Sequence, residues 1–168
     1  MNKKKFLLPL WTFLFFIGFF YAFDAQSKDL HARLGLGYNR QFANNLVDGA
    51  TPALSLKYGL TKDIAMSLIA GVKTGSPTNS TFGTKFFKNI FYENNLNFYF
   101  MLGLGLVSGA GHSGFEGMSG FGAEFFIPGI ESLGFSFETG ASIHTITGST
   151  VLRTLGLSFV DAGIHFYF

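Results

Sequence analysis

Three observations predict an all-β chain: a closed antiparallel eight-stranded up-and-down transmembrane β-barrel, preceded by a cleavable signal peptide. Apolar and polar residues alternate with period two in run after run. The connectors between runs are short and long by turns. The composition suits a wall with oil on one side: of 168 residues 48% are hydrophobic and 18% aromatic, with 23 Phe, yet only 13% are charged. An ordinary soluble domain carries about 25% charged residues. The length fits one domain, the aromatic content excludes disorder, and the absence of cysteine excludes a disulfide scaffold or a thiolate metal site.

Residues 1–27 read as the signal peptide. Lys3, Lys4 and Lys5 form a positive n-region, and residues 6–20 are almost unbroken apolar sequence around Trp11. Ala25, Gln26 and Ser27 then fit the small-x-small cleavage rule, which places the cut after Ser27. A cut after Ala25 would put bulky Phe23 at the third residue before it. The apolar stretch is short for a spanning helix, which needs about 20 residues, and no Cys follows to make a lipoprotein signal. The barrel is expected over residues 28–168. It holds nine Lys+Arg (12 less the three leader lysines) and nine Asp+Glu (10 less Asp24). Net charge is zero, so no basic face for nucleic acid is expected.

The strands follow in order. The first run sets Leu30, Ala32, Leu34, Leu36 and Tyr38 against His31, Arg33, Gly35, Gly37 and Asn39. The second sets Leu54, Leu56 and Tyr58 against Ser55, Lys57 and Gly59, and the third Ile64 to Val72 against Ala65 to Lys73. Residues 82–92 read as a strand without a clear parity: Phe86 and Ile90 share one side with Lys88, Phe87 and Phe91 the other with Lys85 and Asn89. The fifth is the clearest, Leu96 to Leu106 against Asn97 to Val107. Phe121, Ala123 and Phe125 then oppose Gly120, Gly122 and Glu124, and Phe135 to Ile143 oppose Ser136 to His144. The last run sets Val160 to Phe168 against Asp161 to Tyr167. Strands of about 9–13 residues are long enough to cross a bilayer at about 45° tilt. Residues 59–62, 92–95 and 128–132 are expected as tight turns; residues 41–50, 75–81, 109–114 and 145–158 as longer loops. That asymmetry is the outer-membrane pattern, with both chain ends on the short-turn, periplasmic side. Closure satisfies every backbone group, so the first strand should pair with the last.

The polar parity should face the lumen. Arg33, Lys57 and Lys73 come early on it; Glu116, Glu124, Glu138 and Asp161 come late. Closing the ring brings the two arcs together in a narrow interior, and buried charges need partners. A salt-bridge network that plugs the lumen is therefore expected. Nine glycines share this parity, among them Gly35, Gly103, Gly105 and Gly122, leaving room for long side chains from opposite strands.

The chain ends Asp161-Ala162-Gly163-Ile164-His165-Phe166-Tyr167-Phe168. With Gly163, Phe166 and terminal Phe168, this resembles the C-terminal β-signal read by the bacterial outer-membrane barrel assembly machinery. With the leader and the eight runs, residues 28–168 resemble the small eight-stranded barrels of the OmpA transmembrane-domain and OmpX type. The resemblance implies the outer membrane of a Gram-negative bacterium, with outer-membrane lipid and lipopolysaccharide as surroundings. No peptidoglycan-binding domain is expected after the barrel.

Specific chemistry finds little footing. Residues 109–114 match G-x-G-x-x-G, but a strand follows where a dinucleotide site needs a helix. His31 and His165 should become neighbours near the periplasmic end, with Asp161 nearby, but without a clear third ligand they read as a polar pair. Lipid A deacylases of similar architecture use a His followed two residues on by Ser; here His144 is followed by Ile146. A palmitoyltransferase-type barrel needs a hollow core, and this lumen is charged. Asn79-Ser80-Thr81 is simply a polar loop in a bacterial protein. No cofactor, metal or catalytic residue is expected. The expected function is a plugged outer-membrane barrel in a structural or surface-interaction role. A narrow channel for small solutes or ions is the alternative, and a lipid A-modifying enzyme the second. A lipid-facing wall and a dimer face have the same composition, so no oligomeric state follows.

Overall fold

The computed structural model describes residues 28–39, 42, 53–76, 78–109, 111–146, 148–155 and 160–168. The expected leader and most of the expected 41–50 loop lie outside the described residues. Nine strands run in chain order: β1 (Leu34–Tyr38), β2 (Ala53–Gly59), β3 (Ile64–Lys73), β4 (Asn79–Glu93), β5 (Leu96–Gly109), β6 (His112–Ile127), β7 (Ile130–Thr145), β8 (Val151–Thr154) and β9 (Asp161–Tyr167).

Every ladder between these strands is antiparallel, and the ring β1 to β7 closes through β9 back onto β1. Eight positions make the ring, because β8 and β9 share one of them. β8 pairs the upper part of β7, from Ala141↔Thr154 to His144↔Val151. β9 pairs its lower part, from Leu133↔Phe166 to Glu138↔Asp161. The expected 145–158 loop therefore contains a strand.

Alternation is kept almost throughout. Leu54, Leu56, Leu68, Val72, Leu102, Leu104, Phe121, Phe137, Ile164 and Phe166 point outward and are exposed. Ser55, Lys57, Ile69, Tyr99, Met101, Glu124, Glu138 and His165 point inward and are buried. Among the described residues no helix is long and apolar enough to cross a membrane.

Further local features differ from the sequence expectation: Asn79, Ser80 and Thr81, expected in a polar loop, open β4 and pair with β3. The first strand starts at Leu34, not Leu30: Ala32 has φ 59°, a left-handed conformation that ends extended structure, and Leu30 on its far side is buried rather than outward. In β4 the register slips between Asn89 and Phe91. Ile90 is the extra residue of a β-bulge, which reverses the parity beyond it. Phe82, Phe86 and Phe91 therefore all face outward, while Lys85 and Phe87 face inward. Finally, the expected 109–114 loop is a tight hairpin, since Gly109 pairs with His112 and Gly111 takes φ 78°.

Candidate functional site: the lumen

Ring order sets which side chains can meet. Lys57 on β2 and Glu124 on β6 are four strands apart in a ring of eight, the greatest separation possible. A narrow barrel brings such residues tip to tip. Lys57 Nζ lies 2.8 Å from Glu124 Oε2, with both side chains at most 4% exposed. Lys85 on β4 reaches Glu138, three strands away on β7, at 2.8 Å.

Each carboxylate gathers further donors, as buried charge requires. Tyr167 donates its hydroxyl to Glu124 at 2.6 Å. Tyr99 donates to Glu138 at 2.8 Å, and the Asn39 amide to the same carboxylate at 3.5 Å. Both ammonium groups also approach aromatic faces: Lys57 Nζ lies 4.5 Å from the Phe87 ring centroid and 5.1 Å from that of Tyr99. The tyrosines fit because glycine faces them. A Cβ at Gly122 would come within 2.6 Å of the Tyr99 ring, and one at Gly35 within 2.7 Å of Tyr167.

Apolar groups close both ends of this charged layer. On the short-turn side Leu30, Phe126 and Tyr167 form a buried cluster. On the other side Phe42, Ile69, Met101, Val107, Met118 and Leu155 belong to a larger one. Phe42 reaches inward from the β1–β2 connection into a notch made by Gly83 and Gly105, which are paired across β4 and β5. A Cβ at either would come within 2.7 Å of the Phe42 ring.

The lumen residues expected from the sequence separate into groups. Lys57, Glu124 and Glu138 meet in the ion-pair layer. Asp161 is buried beside it and acts electrostatically on Lys85. Glu116 is buried nearer the long-loop end, directly opposite His144 in the β6–β7 ladder. Lys73, at the end of β3, is only half-buried. Arg33 stands apart at the short-turn mouth, where its guanidinium donates to the Tyr167 and Glu131 carbonyls at 3.4 and 3.5 Å. His31 and His165 are not brought together: His165 pairs with Gly37 in the β1–β9 ladder, whereas His31 is exposed beyond Ala32. Lys85, Tyr99, Tyr167 and Phe42 also belong to the lumen, beyond the residues expected there from charge and parity. The glycines that face each of them, Gly103 in the case of Lys85, were the available signal.

One constellation has the order of a hydrolytic triad. His165 Nε2 lies 2.9 Å from Ser55 Oγ, and His165 Nδ1 lies 4.0 Å from Glu124 Oε1. A nucleophilic serine needs a base held by a hydrogen-bonded carboxylate, and 4.0 Å is too long for that bond. Ser55 is also buried, at 1% exposure. Among the described residues no group of three or more His, Cys, Asp or Glu could hold a metal ion.

Neither a protein-family model nor a curated protein matches the sequence. Among solved structures the chain is similar to the crystal structure of the N-terminal β-barrel domain of Pseudomonas aeruginosa OprF, with TM-score 0.57 and 16% identity. The match covers 82% of this chain and 98% of that one. At that identity the likeness is one of fold: the small eight-stranded barrel of the OmpA type.

Proposed function

We propose that this chain is an outer-membrane barrel of a Gram-negative bacterium, exported by residues 1–27, with a plugged lumen and a structural or surface-interaction role. The observation that carries this reading is the inversion of an ordinary soluble core. The outward face exposes Leu, Ile, Val and Phe on strand after strand, while the interior holds two fully buried ion pairs. Water outside would make such a face very costly, since roughly 25 cal/mol is lost for each Å² of apolar surface left wet. Acyl chains remove that cost, and a closed ring presents no open sheet edge to hydrocarbon.

The plug supports a structural role over conduction. Lys57, Lys85, Glu124 and Glu138 neutralise one another, and apolar clusters cap them on both sides. An ion crossing the lumen would have to break a desolvated pair. The surroundings would be outer-membrane lipid and lipopolysaccharide. Gly163, Phe166 and Phe168 would serve as the segment read by the barrel assembly machinery; both Phe side chains are outward and exposed. No catalytic role is proposed for Ser55 and His165.

The test is fractionation with heat-modifiable gel mobility of the membrane-extracted protein, followed by planar-bilayer conductance. A folded barrel in the outer-membrane fraction without a stable open state is the expected result. A stable open state would establish the narrow channel instead. Altered lipid A acylation in cells lacking the protein would establish an enzyme.

A further inference from the structure

We propose that residues 28–31 are a strap that crosses the short-turn mouth of the barrel, seals it, and braces its shortest seam. This goes beyond the membrane reading and needs only the closed barrel.

The left-handed turn at Ala32 swings the chain off β1 and sends it across the opening. The turn is fixed on both sides: Arg33 N donates to the Leu30 carbonyl at 3.0 Å, and Ala32 N to the Gly59 carbonyl at 2.9 Å. Lys28 then docks on Asn97, at the start of β5. Its backbone N–H donates to Asn97 Oδ1 at 3.0 Å, and Asn97 Nδ2 donates back to the Lys28 carbonyl at 3.3 Å. β5 stands four positions from β1 in the ring, so the strap spans the full width of the mouth.

A second tie runs to β7, where Lys28 Nζ lies 2.6 Å from Glu131. Between the two anchorages Leu30 turns inward and is 5% exposed, packed in the cluster with Phe126 and Tyr167. An amide side chain that reads both backbone groups of one residue 69 positions away is a specific dock, because it satisfies a donor and an acceptor at once.

The strap has something to hold. The β1–β9 seam has four residue pairs, against fourteen between β5 and β6. Arg33, at the root of the strap, reaches across that seam to the Tyr167 carbonyl. Docking Lys28 on the far wall therefore pins β1 in place while Leu30 shields Glu124 and Tyr167 from the short-turn side.

The chain has no cysteine, so a single introduced thiol reports cleanly. In the folded, membrane-extracted protein, Leu30→Cys and Asp29→Cys are each treated with a small cationic methanethiosulfonate. The thiol at 30 should react at least about tenfold more slowly than its exposed neighbour at 29, because reaction requires local opening. Adding Asn97→Ala should raise the rate at 30 on the order of tenfold. It should also raise the rate at a lumen reporter, Ser136→Cys, which lies in the same lumen row as Asn97. Equal rates at 29 and 30, or a lumen thiol indifferent to Asn97→Ala, would overturn the strap. Heat-modifiable mobility is run alongside: a protein that shifts but labels equally loses the strap and keeps the barrel, and one that does not shift loses both.

Discussion

Removing Lys85 isolates the cost of a buried charge in this lumen. Lys85 and Glu138 touch at 2.8 Å with side chains 1% and 3% exposed. In Lys85→Met the Glu138 carboxylate loses its contacting ammonium and retains the Tyr99 hydroxyl at 2.8 Å and the Asn39 amide at 3.5 Å. Breaking one side of such a pair costs about 3–5 kcal/mol. Glu138→Gln removes the charge that contacts the ammonium instead and falls in the same range. The double variant removes both charges of this pair, and its amide still accepts from Tyr99. Its cost should return to within about 2 kcal/mol of the parent, a coupling of at least about 4 kcal/mol.

The assay is urea unfolding in lipid vesicles, scored by heat-modifiable gel mobility. The sole tryptophan is Trp11, in the expected leader, so tryptophan fluorescence would not report on residues 28–168. With a slope of about 1–3 kcal/mol per molar, each single variant should lower the midpoint by at least about 1 M. Single variants within about 1 kcal/mol of the parent, or a double variant costing the sum of the singles, would refute a desolvated pair.

Other substitutions probe other layers. Phe42→Ala empties the Gly83–Gly105 notch and should cost about 3–5 kcal/mol by the same unfolding assay. Gly105→Ala drives a Cβ to 2.6 Å from the Phe42 ring; its cost of about 1–3 kcal/mol should vanish in the Phe42→Ala background. Leu104→Lys, on the outward face at 68% exposure, should cost about 2–4 kcal/mol in vesicles if that face meets hydrocarbon near mid-depth. Deleting Phe168 should lower the amount of barrel in cells while leaving refolding in vitro intact, measured by membrane fractionation against refolding yield.

Period two was legible because a barrel wall asks one question of each residue, oil or lumen. The answers from Leu54, Leu56 and Tyr58 or from Leu96 to Leu106 are unambiguous. It became illegible where the backbone changes phase. The bulge at Ile90 mixes two parities in residues 82–92, which concealed the inward direction of Lys85 and so one of the two ion pairs. The left-handed Ala32 breaks the first run while its alternation continues on paper, which made Leu30 look outward. The Gly- and Ser-rich 109–114 segment looks loop-like by composition. The β5–β6 ladder runs on to its last pair, Gly109 with His112, and closes the segment as a hairpin despite that propensity. Phe42 lies in a segment with no alternation at all, and only the unfilled space above Gly83 and Gly105 implies a ring there.

The layering explains why two ion pairs suffice to plug a lumen. Leu30, Phe126 and Tyr167 below and the Phe42 cluster above keep solvent from the charged layer. Attraction between opposite charges grows as the surroundings become less polarisable, and so does the penalty for parting them. A pair facing water on one side can exchange partners with solvent at little cost. These pairs cannot, because each carboxylate is held by an ammonium and a tyrosine hydroxyl at 2.6–2.8 Å. Opening a path would require moving an apolar cap first and breaking a desolvated pair second. The two barriers act in series along the barrel axis, so the caps and the charges form one plug rather than two independent features.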